Sequence, residues 1–98
     1  MRTAFMCSLI RNGILGGGLY LDQEAVTYRT QKLTVDKQYR NLVLPLDEIA
    51  EVTWKRIVFP VAAFHLKSGE TYTFLIFNKT RFCKYFLEYS SNSDPQDL

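Results

Sequence analysis

Over most of the first 77 residues, apolar and polar positions alternate with a period of two. Leu19 and Leu21 against Tyr20 and Asp22, then Val26 and Tyr28 against Thr27 and Arg29, carry the pattern of half-buried strands, with Asp22-Gln23-Glu24 as the polar turn between them. Residues 4–11 also read as a strand. Asn12-Gly13 and the run Gly16-Gly17-Gly18 follow, and predict permissive backbone for a turn or bulge into the next strand. Residues 31–41 are polar and read as a long hairpin connection. Leu42-Val43-Leu44 forms a short strand stopped by Pro45, which has no N–H to give to a ladder. Leu46-Asp47-Glu48-Ile49 reads as one helical turn or tight bend. Residues 50–58 resume as a strand, with Val52 and Trp54 on one side and Glu51, Thr53 and Lys55 on the other. Residues 61–67 and 71–77 flank Ser68-Gly69 as a hairpin whose inward set is Phe64, Leu66, Tyr72, Phe74 and Ile76.

The period then changes. From Asn78, a residue suited to an N-cap, Phe82, Phe86 and Tyr89 recur at steps of four and three while Arg81, Lys84 and Glu88 fall elsewhere, the signature of an amphipathic helix. Residues 90–98 have no apolar period and read as a disordered polar tail. The pattern therefore predicts a single domain over residues 4–89 that is mainly β, with seven short antiparallel strands followed by one C-terminal helix. Seven such strands hide their apolar faces in two packed sheets or a closed barrel, and an open end needs a plug. The aromatic-faced helix is suited to be that plug.

Several stretches of this pattern resemble the GRAM family of the pleckstrin-homology-like superfold. They are Arg11-Asn12-Gly13-Ile14-Leu15-Gly16-Gly17-Gly18-Leu19-Tyr20-Leu21, Val26-Thr27-Tyr28, Leu44-Pro45-Leu46-Asp47-Glu48-Ile49-Ala50-Glu51-Val52 and Gly69-Glu70-Thr71-Tyr72-Thr73-Phe74. The resemblance spans residues 5–89 and implies a seven-stranded sandwich or partly open barrel capped by a C-terminal helix. It also implies a non-catalytic module that brings its host to phosphoinositide membranes or to partner proteins. One departure bears on the ligand. Pleckstrin-homology domains that grip phosphoinositides carry several Lys and Arg in the first hairpin loop, where this chain has Arg11 followed by Asn12, Gly13, Ile14, Leu15 and glycines.

Composition bounds the picture. Ninety-eight residues, 47% of them hydrophobic, suit one compact domain able to bury a core without metals or disulfides. Cys7 and Cys83, 76 positions apart, form no stapling framework and read as free buried thiols, which points to a reducing, cytoplasmic setting. Arg11 and Asn12 break the apolar run of residues 3–10 before any small-x-small cleavage site, so neither a secretory signal nor a membrane span is expected. The net charge is +2, and residues 1–89 hold twelve Lys and Arg against eight acids, too small a surplus to point to nucleic acid.

Candidate chemistry is sparse. His65, the one histidine, alternates out of phase with Phe64 and Leu66 and reads as a solvent-facing strand residue. The apolar neighbours of both cysteines argue against a thiolate nucleophile, and the residues make no metal-ligand spacing. Asp47, Glu48 and Glu51 are the clustered carboxylates, ordinary at the start of a helical turn. The glycine run lacks the Lys and Ser or Thr of a phosphate-binding loop. No catalytic role and no cofactor are therefore expected. The remaining feature is basic: Arg29, Lys32, Lys37 and Arg40 lie within twelve residues and are opposed by Asp36 alone. On a loop at one end of the domain they are the candidate lipid-binding residues, because each Lys or Arg near an anionic membrane contributes on the order of 1 kcal/mol. The expected function is a non-enzymatic binding module for anionic lipid or a protein, peripheral at a membrane. The alternative is protein–protein interaction or self-association, through an exposed sheet edge, with no lipid binding.

Overall fold

The computed structural model describes residues 2–11, 13–31, 37–56 and 58–92, with side chains described through residue 90. The strands are β1 (Thr3–Ile10), β2 (Ile14–Leu21), β3 (Ala25–Arg29), β4 (Asn41–Pro45), β5 (Ile49–Arg56), β6 (Pro60–Leu66) and β7 (Thr71–Ile76). A four-residue helix α1 (Lys37–Arg40) precedes β4, a 3₁₀ turn (Leu46–Glu48) links β4 to β5, and α2 (Lys79–Asn92) ends the described chain. The protein is thus mainly β, with seven antiparallel strands and one C-terminal helix, consistent with a pleckstrin-homology-like sandwich.

All seven strands form one sheet in the order β4-β3-β2-β1-β7-β6-β5. A flat sheet of that order would separate β4 from β5 by six strand spacings, about 29 Å. Yet Pro45 ends β4 and Ile49 begins β5, and four residues of chain reach at most about 14 Å. The sheet must therefore be rolled over on itself. Its two edges come together at the 3₁₀ turn without pairing, and the barrel stays open along them. One hydrophobic cluster fills the interior, drawing Phe5, Cys7 and Leu9 from β1, Leu19 and Leu21 from β2, Tyr28 from β3, Leu44 from β4, Phe64 from β6 and Phe74 from β7.

The α2 helix closes the open end. Asn78 caps it, its Oδ1 accepting from the Arg81 N–H at 3.2 Å. Phe82 then enters the core fully buried, edge-on to Phe5 (5.2 Å), Trp54 (6.1 Å) and Phe64 (6.0 Å), and stacked on Phe86 (5.6 Å). The tilted ring pairs that α2 makes with three strands add specific geometry to the area they bury.

Three local readings differ from the sequence pattern. β1 ends at Ile10 and β2 begins at Ile14, with Gly13 between them at φ +130°, and the three consecutive glycines lie inside β2, paired with Ser8, Cys7 and Met6. Gly17 is required there because a Cβ would stand 2.6 Å from the Arg29 carbonyl oxygen and 2.7 Å from the Tyr28 ring. The polar connection at 31–41 contains the helix α1 and the first residue of β4. Finally, α2 continues to Asn92, three residues past its expected end at Tyr89, and the Ser90 hydroxyl donates to the Phe86 carbonyl within it. Residues 93–98 of the expected tail lie outside the described residues.

Candidate functional site: a basic cleft at one end of the sheet

Alternation along β3 turns Val26 and Tyr28 into the core and Arg29 outward. In register, Arg29 stands opposite Gly18 of β2 on one side and Asn41 of β4 on the other. Gly16 and Gly18 project no side chain from the same face. The missing side chains leave an open cleft of about 850 Å³ whose walls include Arg29, Gln31, Arg40 and Asn41. Its floor is tied down. The Thr30 hydroxyl donates to the Gly16 carbonyl at 3.1 Å, and the Thr30 N–H donates to the Arg40 carbonyl at 3.0 Å. On the inner side, the Tyr28 hydroxyl donates to the Leu15 carbonyl at 2.7 Å.

Of the four residues expected to bind lipid, the structure brings Arg29 and Arg40 to one cleft and places Lys37 exposed on α1, three residues before Arg40. Lys32 lies outside the described residues. A further cation joins this end of the molecule. Arg11, just after β1, lies over the Tyr39 ring of α1 at 4.9 Å and the Tyr72 ring of β7 at 5.2 Å. Sequence reasoning did not link Arg11 to the basic loop, and no local pattern reports a contact spanning 28 residues. The Tyr72 hydroxyl donates to Glu70 at 3.2 Å. Burial and the Glu70 charge push the Tyr72 hydroxyl above its ordinary pKa, with Arg11 acting in the opposite direction.

The other titratable groups are spread over different faces. His65 sits on the outer face of β6, where Nε2 meets the Thr53 hydroxyl at 2.8 Å and Nδ1 the Thr71 hydroxyl at 3.2 Å, a polar ladder across three strands. Cys7 points inward from β1. Burial pushes its thiol up to about 12, which keeps it protonated and poorly nucleophilic. Burial also raises the half-buried Cys83. The sheet therefore separates His65 from Cys7. Asp47 and Glu48 are exposed in the 3₁₀ turn, where the Glu48 carbonyl accepts from the Lys67 N–H at 2.8 Å. Among the described residues, no three His, Cys, Asp or Glu side chains gather to hold a metal ion, and no helix is long and apolar enough to cross a membrane.

A second concavity, about 430 Å³, runs between β5 and α2. Its lining is mostly apolar, including Ile49, Val52, Trp54, Phe82, Phe86 and the exposed Leu87. The sequence carried both of its walls, the Val52/Trp54 stripe and the helical aromatic stripe, but not their juxtaposition. No protein-family model matches the chain, and a search of the curated proteins finds no match either.

Proposed function

We propose that this domain is a non-enzymatic binding module of the GRAM and pleckstrin-homology-like type that attaches, weakly and peripherally, to anionic membrane surfaces from the cytoplasmic side. The observation that carries the reading is the basic end of the sheet. Arg29 and Arg40 line one open cleft, Lys37 is exposed beside it, and Arg11 lies against the neighbouring Tyr39. A surface of several cations around a polar cleft attracts anionic headgroups through charge and hydrogen-bond donors, and such attraction weakens as salt screens it. Glu70 is held at the Tyr72 hydroxyl, whose ring lies under Arg11.

Co-sedimentation with neutral and with phosphatidylserine-containing vesicles, at low and at physiological salt, tests the proposal. Binding to the anionic vesicles alone, falling with salt and abolished by the triple change Lys32→Glu, Lys37→Glu and Arg40→Glu, is the expected result. Binding unchanged in the triple variant overturns it. The second reading, self-association without lipid, is favoured by the outer edge of β5, which pairs with no strand among the described residues.

A further inference from the structure

Strand β5 ends the sheet, and among the described residues its one strand partner is β6. A free edge presents a row of outward N–H and C=O groups able to template a further strand. The α2 helix does not seal it, since the apolar groove stays open between Val52 and Trp54 on the strand and Phe86 and Leu87 on the helix. The other edge, β4, is shorter, ends in Pro45 and bears no charged side chain.

From this edge we infer that β5 pairs with β5 of a second copy of this chain, antiparallel and centred on Thr53. In an antiparallel pair, directly opposed residues lie on the same face of the sheet. A twofold pairing of one strand with itself must therefore centre on a residue. On β5, Val52 and Trp54 face the interior and Glu51, Thr53 and Lys55 face out. Centring on Thr53 places Glu51 opposite Lys55 and Val52 opposite Trp54, each pair occurring twice. Centring on Val52 would set Glu51 against Thr53, and centring on Trp54 would set Lys55 against Thr53 and Val52 against Arg56. Of these three centres, Thr53 alone sets opposite charges together and apolar against apolar over residues 51–55, with Ala50, at the β5 register irregularity, falling opposite Arg56. The self-complementary strand is the pattern that an isologous twofold interface requires. A five-residue strand pair with one groove on each side buries less than the roughly 1,600 Å² of a standard stable interface, so the dimer forms and dissociates readily.

Sedimentation velocity over about 1 µM to 1 mM protein, the range of weak complexes, reads the association directly. The expected weight-average mass rises with concentration toward twice the 11.4 kDa of the chain. Glu51→Lys alone and Lys55→Glu alone each place like charges together at both symmetric positions, and each should weaken dimerisation about tenfold. The double variant, Glu51→Lys with Lys55→Glu, restores the pairing in the opposite sense and should return to within about threefold of the original affinity. Circular dichroism establishes that each variant is folded. In a Cys83→Ser background, Thr53→Cys should form a disulfide-linked dimer under mild oxidation, whereas Ala50→Cys should not. A mass invariant with concentration overturns the proposal, as does a double variant no better than the singles. Dimerisation without cross-linking through residue 53 also overturns it, by assigning the interface to another surface.

Discussion

Tyr28 and Phe82 are both fully buried rings, and the molecule makes room for them by opposite means. Beside Tyr28 the neighbouring strand gives up its side chains: the ring and the Arg29 carbonyl occupy the place where a Cβ of residue 17 would be. Around Phe82 nothing is deleted, and four other rings close on it at tilted or stacked angles. On the opposite, outer face of the same strand, Gly16 and Gly18 add no side chain, and that bare surface is the basic cleft. The second packs rings against the inner side of the sheet and leaves a groove of about 430 Å³ along β5. Absence of side chains on one strand thus leaves an open polar cleft, and abundance of rings on the helix leaves a packed one.

The largest expected effect breaks the second arrangement. Phe82→Ala removes the one ring common to the contacts with β1, β5 and β6, and should cost about 3–5 kcal/mol. The check is the chemical-denaturation midpoint, with the slope of the transition showing whether α2 still docks. Against a total stability of about 5–15 kcal/mol for a domain of this kind, that loss leaves the fold marginal.

Gly17→Ala breaks the first arrangement with a single methyl group and should cost about 1–3 kcal/mol. Repeating the substitution in a Tyr28→Leu background sharpens the comparison. A smaller cost there assigns the clash to the ring, and an equal cost in both backgrounds assigns it to the Arg29 carbonyl.

The smallest effect is a titration. Cys7 ionises near its ordinary value of 9.0 in the unfolded chain but only at about 12 when buried. The unfolded state loses its proton first, so the stability tied to the protonated thiol is intact below pH 9 and declines as the pH rises toward 12. Between pH 8 and pH 10 the native sequence should lose about 1.4 kcal/mol more than Cys7→Ala, measured by denaturant unfolding at each pH. Tyr72 and Cys83, also raised by burial, add to the alkaline decline in both proteins and cancel in the difference, whereas Tyr28, raised by burial and then by the Cys7 charge, cancels only in its burial part.

What the sequence made legible follows the range over which each feature acts. The Ser68-Gly69 turn, with Gly69 at φ +97°, the Asn78 cap and the inward stripes of β6 and β7 are set by neighbours within a few residues, and each stands where its local pattern puts it. The glycine run was legible as permissive backbone but not as strand interior, because what demands Gly17 is the Tyr28 ring, eleven residues away and across a register no local pattern encodes. Four residues are too few to show a helical period, so α1 read as loop. The extra turn of α2 has no apolar stripe to announce it, and polar residues extend a helix once its first turns are anchored by packing. Of the candidate site, Arg29, Lys37 and Arg40 were visible as a charge cluster. The bare glycines that open the cleft behind Arg29, and the approach of Arg11 to Tyr39, depend on pairings that only the folded sheet brings about.

The position of β1 between β2 and β7 has a consequence for the order of events during synthesis. Leu9 pairs with Leu15, made moments later, and with Phe74, made 65 residues later. At about 5–20 residues per second on the ribosome, the second partner arrives roughly 3–12 s after the first. Throughout that interval the nascent chain holds an apolar strand with one edge unsatisfied, and any other unpaired strand nearby competes for it. The most exposed moment of this protein's life falls before its last strand exists, and codon usage or a chaperone acting between β3 and β7 would change its yield without touching the stability of the finished domain.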